Sequence, residues 1–380
     1  AIHIAEQVLG HIVLMGRLGA RLRTERGLAY YATSHVESLA GARHVAIHAG
    51  VDPRRAAAAR REIAAVLRRL GPDIVAGYRV LNHDPAQTVN IGTTTRGTPV
   101  DIFKVVVEAD FRLSTGFIEP HFFAGFSGGR KSIAPGVFGV NSAYVNHGYR
   151  MIEHPAARAG SLVGNPIHED MVEMARMAHL DFIVNVLLNR KKEITHVFAG
   201  DAVAAHEAGC AVARQNAGVP VPHRVDVTVT TNSGAPLDLD LYQTVKGMVG
   251  VIDILEPGGT IIIASECSEG MGSPEFVEAQ RALCRMGPER FMADVIARNH
   301  ARIDEWQTQM LVKALKRGSV KLYTTGLRPP DLAEIFVDPV VSVEAAVSAS
   351  VNTHQDPCVA VVPEGPYVIP VFRPASSLVR

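Results

Sequence analysis

A glycine-rich stretch, His121 to Gly136, constrains the fold of this chain more than any other feature. It places Arg130 and Lys131 directly after Gly129, and it follows a strand-like run from Phe111 to Ile118. Glycine lets the backbone adopt positive φ and approach a ligand closely. In α/β proteins, ligands bind at loops that follow strands. The stretch therefore predicts a ligand-binding loop for something anionic in an α/β fold.

The spacing differs from that of a phosphate-binding Walker loop. Such a loop has lysine directly after its second glycine, whereas Arg130 separates Gly129 from Lys131 here. The simplest alternative is a tight turn with two solvated cations, since exposed charges usually contact only water. His121 before the glycines and His147 after them favour a metal or cofactor site instead.

Several motifs, in order, resemble the nickel-dependent lactate racemase family. They are His121 to Lys131, Asn146-His147, Val184-Asn185, Ala199-Gly200-Asp201, Thr231 to Asp238, Tyr242 to Met248 and Asp304-Glu305-Trp306. The resemblance covers about residues 71 to 365, and the agreement of separate motifs in the same order makes it specific. We expect an α/β protein with two lobes, each with a largely parallel sheet flanked by helices, here preceded by a small α+β segment.

The parallel sheet is indicated by predicted strands and helices that alternate in the C-terminal lobe. The strands are Val225 to Thr230, Thr260 to Ala264, Val320 to Thr324 and Cys358 to Val362, and the helices are Leu239 to Leu255, Pro274 to Met286, Ile303 to Lys316 and Ser342 to Val351. In the N-terminal lobe, the β-branched run from Asp101 to Glu108 is predicted to be extended.

The resemblance implies an isomerase: a racemase or epimerase that inverts a lactate-like 2-hydroxy acid by proton-coupled hydride transfer. The implied cofactor is a nickel-pincer nucleotide, nickel pyridinium-3,5-bisthiocarboxylic acid mononucleotide, tethered to Lys131. His147 would ligate nickel and His121 would be a catalytic base. The cofactor-binding loop would comprise Ser127, Gly128, Gly129 and Arg130, with the arginine facing the nucleotide phosphate. These residue types suit the roles, because imidazole is a common nickel ligand and can exchange a proton near neutral pH.

The resemblance also carries over Tyr242, Gln243, Lys246 and Trp306 as catalytic residues. Gln243 and Lys246 are three positions apart, so on a helix they share a face and could hold a carboxylate. A solvated Lys246 and a core-packed Trp306 are the ordinary alternatives. The turn Asn232-Ser233-Gly234 is a further candidate ligand-binding loop. The other histidines of this part, including His83, His168 and His206, are predicted to have core or capping roles.

One part of the family pattern is missing. The family has a second catalytic base in a Gly-x-His-Arg motif, and the corresponding place falls near Ala58, in an alanine-arginine run. The arginine that meets the substrate carboxylate has no match either. The sequence therefore predicts impaired catalysis. The alternative function is a nickel-binding or cofactor-binding protein that does not turn over substrate.

Residues 1 to 70 have a different character and are predicted to form a helix, two strands and a second helix. The helices are predicted at Ala1 to Leu22 and Asp52 to Leu70, and the strands at Gly27 to Ser38 and His44 to Gly50. Arg21 to Tyr30 and Ala49 to Pro53 resemble a C-terminal segment of insulinase-type zinc peptidases, but the His-x-x-Glu-His motif of that family is not in the chain. A peptidase-related module is thus disfavoured, and we expect an inert fusion or a joined fragment. The expected domains are 1–70, an incomplete N-terminal lobe at 71–222 and a C-terminal α/β lobe at 223–380, with Val219 to Pro222 as linker.

Composition bears mainly on partners and location. Lys+Arg and Asp+Glu both number 38, which disfavours nucleic-acid or membrane-surface binding. No apolar run reaches the ~18 residues of a membrane helix, and the four scattered cysteines are typical of a reducing cytoplasm. We expect a cytoplasmic protein whose partners are a small 2-hydroxy acid and cofactor-maturation proteins.

Overall fold

The computed structural model describes residues 31–39, 42–50, 78–298, 300–353 and 357–374; for 31–39, 42–50, 78–80 and 82 only the backbone is considered. The strands are β1 (Tyr31–Leu39), β2 (Ala42–Gly50), β3 (Tyr78–Asn82), β4 (Thr88–Thr93), β5 (Pro99–Phe103), β6 (Arg112–Phe117), β7 (Pro120–His121), β8 (Gly125–Phe126), β9 (Phe182–Leu188), β10 (Ile194–Gly200), β11 (Gly218–Val221), β12 (Val225–Thr231), β13 (Leu255–Ala264), β14 (Gly318–Tyr323), β15 (Asp338–Pro339), β16 (Val359–Val362) and β17 (Ile369–Phe372). The α-helices are α1 (Lys104–Val107), α2 (Val140–Asn146), α3 (Tyr149–Ile152), α4 (Pro166–Met177), α5 (Ala204–Ala217), α6 (Leu241–Val249), α7 (Pro274–Arg298), α8 (Glu305–Arg317), α9 (Pro329–Leu332) and α10 (Val343–Val351). Short 3-10 turns cover Pro85–Gln87, Gly129–Ser132, Ile252–Ile254 and Gly365–Tyr367.

The described residues fall into two compact units. The first lies within Ala1–Glu119, Phe126–Asn146 and Pro166–Ala213, and the second within Pro120–Gly125, His147–Asn165 and Arg214–Arg380. The glycine-rich stretch is thereby divided: His121 belongs to the second unit and Lys131 to the first.

The first unit is built on a six-stranded mixed sheet in the order β10-β9-β6-β1-β2-β3. β6 runs parallel to β9, and β2 runs parallel to β3, while β1 is antiparallel to both of its neighbours. Val184 and Val186 of β9 form a small core against Phe117 and Ile194. The two strands β1 and β2 come from the segment that resembles a peptidase, so the structure places this segment inside the sheet.

The second unit is built on a five-stranded sheet in the order β15-β14-β13-β12-β16, in which every neighbouring pair is parallel. The central strand β13 has a continuous buried run at Ile261, Ile262 and Ile263, as expected where helices cover both faces of a parallel sheet. Val227 and Ile262 pack against Ala346 of α10 on one face. The predicted α/β class is confirmed.

Most predicted elements of the second unit are confirmed within a few residues, including β12, β13, β14, β16, α6, α8 and α10. The helix predicted for Pro274 to Met286 is confirmed as the first part of α7. Gly287, whose φ of 75° and ψ of 164° are not helical, separates it from a second helical part that begins at Pro288. Val219 to Val221, which were expected in the linker, lie in β11, and this strand pairs in parallel with β17.

One strand prediction is partly wrong. The β-branched run from Asp101 to Glu108 was predicted to be extended, but β5 ends at Phe103 and α1 follows. The amide of Glu108 closes this helical turn on Lys104 O at 3.0 Å, and Val106 is buried. Burial of Val106 therefore outweighs the extended preference of its valine neighbours. The helices predicted for residues 1–22 and 52–70 lie outside the described residues.

A search of the described helices for a membrane span finds none with the necessary length and apolar character.

Candidate functional site in two groups of residues

The glycine loop, Ser127–Ser132, lies in the first unit directly after β8. Gly128 has a φ of 79°, and a Cβ there would come within 2.7 Å of Asn185 Oδ1. The same oxygen accepts a hydrogen bond from Gly129 N at 2.7 Å. Glycines are required here because the backbone turns with positive φ against a buried asparagine. The loop is pinned further by Ser127, whose Oγ donates to Phe117 O at 2.9 Å.

Arg130 points into the first unit and is 1% exposed. Its Nη1 donates to Gly128 O at 3.2 Å and lies 2.9 Å from His206 Nε2. The ring of His168 stacks on that of His206 at 6.2 Å. The expected contact of Arg130 with a nucleotide phosphate stays a prediction. In this structure the guanidinium is buried and donates a hydrogen bond to the loop carbonyl of Gly128.

Burial sets the charge of this group of residues. It lowers the pKa of His206 well below its usual value, and the positive charge of Arg130 lowers it further. The same two causes lower the pKa of His168 to about 3. Burial also lowers the pKa of Arg130 to about 10. At neutral pH both histidines are therefore neutral, and Arg130 keeps its charge beside them.

Lys131 occupies the 3-10 turn that follows the two glycines. Its amide donates to Gly128 O at 3.1 Å, and its carbonyl accepts from Gly136 N at 3.1 Å. Its side chain is half-buried, in contrast to that of Arg130. The turn therefore directs one cation inward and leaves the amine of the other partly accessible.

In the second unit, four predicted site residues and Phe123 form a continuous series of side-chain contacts. This series is here called the aromatic array and consists of His121, Phe123, His147, Trp306 and Tyr242. The ring of Phe123 lies edge-on to His121 at 4.6 Å and to His147 at 5.1 Å. His147 is 5% exposed and lies 5.2 Å from Trp306. Trp306 Nε1 donates to Tyr242 Oη at 3.0 Å. Residues far apart in sequence are thus brought together.

The orientation of His121 is fixed by its backbone neighbour. Its Nδ1 accepts a hydrogen bond from Ala124 N at 3.2 Å. In the neutral ring the proton then lies on Nε2. His121 is half-buried, so Nε2 is the atom with which it can exchange a proton with a ligand.

Gln243 and Lys246 lie on α6, as predicted. Asp240 caps this helix by accepting from Gln243 N at 2.7 Å. Lys246 Nζ lies 5.9 Å from the centroid of the Phe122 ring. Gln243 is buried and Lys246 is half-buried. The amide of the next residue, Gly247, donates to Asn232 Oδ1 at 3.0 Å, so the predicted glycine turn at Asn232 supports α6.

Asp240 places a titratable carboxyl beside this helix. Burial raises its pKa to about 7, and the charges of Glu269 and Asp304 raise it as well. The hydrogen bond from Gln243 N and the positive charge of Lys246 act in the opposite direction. Lys246 therefore interacts electrostatically with the Asp240 carboxyl, which takes up a proton near neutral pH.

The sequence predicted only core or capping roles for His168 and His206, and no role for Asp240. Arg130 and His206 are 76 positions apart, and no local spacing indicates that they meet. Asp240 has a detectable signal, because aspartate directly before an amphipathic helix is a common N-cap. Among the described residues, no three His, Cys, Asp or Glu side chains are grouped as a metal-binding set.

Two family models match the chain. The lactate racemase N-terminal domain matches residues 58–160, and the lactate racemase C-terminal domain matches residues 221–370. The lactate racemase of Thermoanaerobacterium thermosaccharolyticum is 37% identical over 307 residues, which cover 79% of this chain and 71% of the relative. That of Lactiplantibacillus plantarum is 37% identical over 313 residues, covering 80% and 72%.

Structures agree with these matches. The lactate racemase apoprotein from T. thermosaccharolyticum superposes with a TM-score of 0.76 at 35% identity, covering 82% of this chain and 75% of that one. A crystal structure of a Thermotoga maritima protein has a TM-score of 0.59 at 15% identity, covering 78% and 79%, and shows the fold alone.

The fold, with these relatives, defines an isomerase of the racemase class. More narrowly, the chain belongs to the lactate racemase family, since both domain models match and the relatives are similar over most of its length. The resemblance inferred from the ordered motifs is confirmed.

Proposed function

We propose that this protein racemises or epimerises lactate or a closely similar 2-hydroxy acid, with a nickel-pincer nucleotide tethered to Lys131. The observation that supports this most is the aromatic array, which gathers His121, His147, Trp306 and Tyr242 within one unit. A racemase needs a proton-exchanging group beside its cofactor, and this array offers one imidazole for metal ligation and another for proton exchange.

The residues present fit such a cofactor. Lys131 offers a half-buried primary amine on a rigid turn, and a lysine amine can form an amide-like link that a guanidinium cannot. His147 offers a buried imidazole held by the rings of Phe123 and Trp306, which suits a nickel ligand. When bound, the cofactor would supply the hydride acceptor for C2 of the substrate.

The remaining residues would bind and orient the substrate. Lys246 is a cation in the last turn of α6, and Gln243 lies one turn before it. Together they would hold the substrate carboxylate and a neighbouring oxygen. Trp306 and Tyr242 would form a wall that limits access of water to His121. His121 would exchange the hydroxyl proton through Nε2. In the tautomer that Ala124 N holds, Nε2 carries the proton and would donate it. To take a proton there, His121 would need its own proton on Nδ1 and would give up the hydrogen bond from Ala124 N.

We also propose that cofactor-maturation proteins are partners, since a covalent nucleotide has to be built and attached. Catalysis would be slow. The position expected to hold the second base falls near Ala58, outside the described residues, and alanine has no proton to exchange. Loss of one acid/base group lowers a rate typically by ~10²–10⁴-fold. A protein that binds nickel without turnover is the alternative that this missing residue favours.

Cofactor attachment is tested with protein produced together with the cofactor-maturation enzymes. Intact mass should show an adduct that is absent from Lys131→Ala and present in Lys191→Ala, a matched control at an exposed turn. His147→Ala should keep the adduct and retain less nickel. An adduct that persists in Lys131→Ala would overturn the attachment site.

The reaction is tested with the nickel-loaded protein and pure L-lactate in D₂O. Hydride transfer returns the original C2 hydrogen, so D-lactate should form without deuterium at C2, as NMR can show. Deuterium at C2 would instead indicate deprotonation of that carbon. A turnover number near the enzyme median, on the order of 10 s⁻¹, would contradict the proposed impairment, and a complete absence of product would favour the non-catalytic alternative.

A further inference from the structure

The second unit contains a cavity of about 860 Å³ that is separate from the residues assigned above to proton exchange. Its lining is strongly basic: among the described residues that line it, six are cationic and two are acidic. The cationic residues are Arg158, Arg214, Arg224, Lys313, Arg317 and Arg373. Apolar residues such as Val249, Met310 and Ile369 form other parts of the wall. The volume is within the range of cavities that hold small molecules, ~300–1,000 Å³.

Several of these cations are held in place by neutral carbonyl groups. Arg214 donates through Nε and Nη2 to Gly160 O at 3.0 and 2.8 Å. Arg317 donates to Leu255 O through the same two atoms of its guanidinium, and Lys313 Nζ donates to Ile152 O. A carbonyl acceptor fixes the position of a cation and, being uncharged, does not itself neutralise the cation.

The two acids do not offset this charge fully. Glu153 Oε2 lies 3.7 Å from Lys316 Nζ, a cation outside the lining. Asp253 Oδ2 accepts from Phe372 N at 3.1 Å. Meanwhile burial lowers the pKa of Arg317, and the nearby charge of Arg224 lowers it further. Like charges are thus concentrated in a shaped cavity, an arrangement that a bound anion would stabilise.

We propose that this cavity binds a phosphorylated small molecule with an apolar or aromatic part, of the class of a nucleoside diphosphate. Arginine favours phosphate because its planar group of donors matches two phosphate oxygens at once. The apolar wall beside the cations would accept the uncharged part of the ligand. This site does not include Lys131 or His147, and the proposal does not depend on racemase activity.

The test is isothermal titration of the full chain with pyrophosphate, ADP and adenosine as probes. Pyrophosphate and ADP should bind, ADP more tightly, and adenosine should not bind because it lacks the charge. Arg373→Gln and Arg317→Gln should each weaken ADP binding about tenfold or more. Arg290→Gln removes the same charge at an exposed position outside the cavity and should leave binding unchanged.

Arg317 also anchors Leu255, so its variant could fold poorly; Arg373 has an exposed side chain and keeps the test decisive. Lys131→Ala should bind ADP as tightly as the parent sequence does, which would show that this cavity is separate from the attachment site. The proposal is overturned if neither pyrophosphate nor ADP binds at millimolar concentration. It is equally overturned if adenosine binds as well as ADP, if both cavity variants bind normally, or if Lys131→Ala abolishes binding.

Discussion

Lys131 and Lys246 have the same kind of backbone support in different electrostatic surroundings. Beside each lysine, a glycine amide donates to a fully buried asparagine: Gly129 to Asn185 in the first unit and Gly247 to Asn232 in the second. In both places a Cβ beside the lysine would crowd the asparagine oxygen, at 2.7 Å from Gly128 and 3.1 Å from Gly247. At Gly247 it would also come within 2.6 Å of Thr231 O. The same kind of hydrogen bond therefore fixes the backbone beside each lysine.

The two units differ in the kind of buried side chain whose neutral form is stabilised: histidine in the first unit and aspartate in the second. In the first unit, burial and Arg130 keep His168 and His206 neutral. In the second unit, burial raises the pKa of Asp240 to about 7. Acidification should therefore act in opposite directions on the two units. A neutral buried histidine opposes folding as the unfolded chain takes up protons, whereas a carboxyl with a raised pKa favours folding under the same conditions.

The largest effect is expected from removing the buried asparagines. Asn185→Ala and Asn232→Ala each leave a buried glycine amide without its acceptor, which costs roughly 1–3 kcal/mol in the free energy of unfolding. Asn185→Ala should also lower the fraction of protein that bears the adduct, whereas Asn232→Ala should not. Denaturant unfolding and intact mass measure the two effects.

The control for this pair is Asn216→Ala, on an exposed helix position, which should change stability by no more than about 0.5 kcal/mol. If Asn185→Ala were as stable as that control and equally modified, the asparagine support would be irrelevant to the loop.

A second, smaller effect concerns pH. Asp240 contributes stability below the pKa of an unfolded aspartate, about 4, and this contribution is lost as pH rises towards 7. Asp240→Asn keeps the helix cap but does not titrate. Its free energy of unfolding, relative to that of the parent sequence, should therefore rise by about 1–2 kcal/mol from pH 5 to pH 7. Hydrogen exchange of the α6 amides measures this within the second unit.

His206→Gln is the counterpart in the first unit. Because the unfolded chain protonates His206 below its ordinary pKa while the folded chain does not, the variant should gain relative stability as pH falls from 7 to 5. Exchange of the β9 amides follows it. Changes in the same direction for both variants would refute the proposed contrast between the units.

The smallest effect is expected within the aromatic array. Trp306→Phe and Tyr242→Phe each remove the hydrogen bond between these side chains, at a cost of about 0.5–1.5 kcal/mol. Since both variants delete the same bond, the double variant should cost less than the sum of the two. Adduct formation in the first unit should be unaffected. Fully additive losses in unfolding free energy would mean that the bond contributes nothing.

The second-unit sheet could be predicted because strands and helices alternate there and turn residues separate them. The first unit resisted prediction at α1, where the run Lys104–Val107 favours extended backbone locally but forms a helical turn that buries Val106. Only the tertiary structure decides between these outcomes. The strands β1 and β2 were expected as extended segments, but their place between β6 and β3 cannot be read from residues that resemble another family.

For the candidate site, motifs indicated which residues to examine and not how they meet. Nothing local shows that Phe123 joins His121 to His147, or that Trp306 reaches Tyr242 across 64 positions. Likewise, sequence cannot show that His206 lies beside Arg130, which is 76 positions away. Contacts between distant segments depend on the packing of whole elements, which residue spacing does not record.

The pairing of β1 and β2 also has a practical consequence for anyone who shortens this chain. β1 joins β6 through Glu37 and Arg112, and β2 joins β3 through Arg43 and Tyr78, among other pairs. Trimming the peptidase-like segment as if it were a tag would leave β6 open along one side and β3 without β2. Open strand edges template pairing between molecules, so the trimmed chain should be recovered as aggregates.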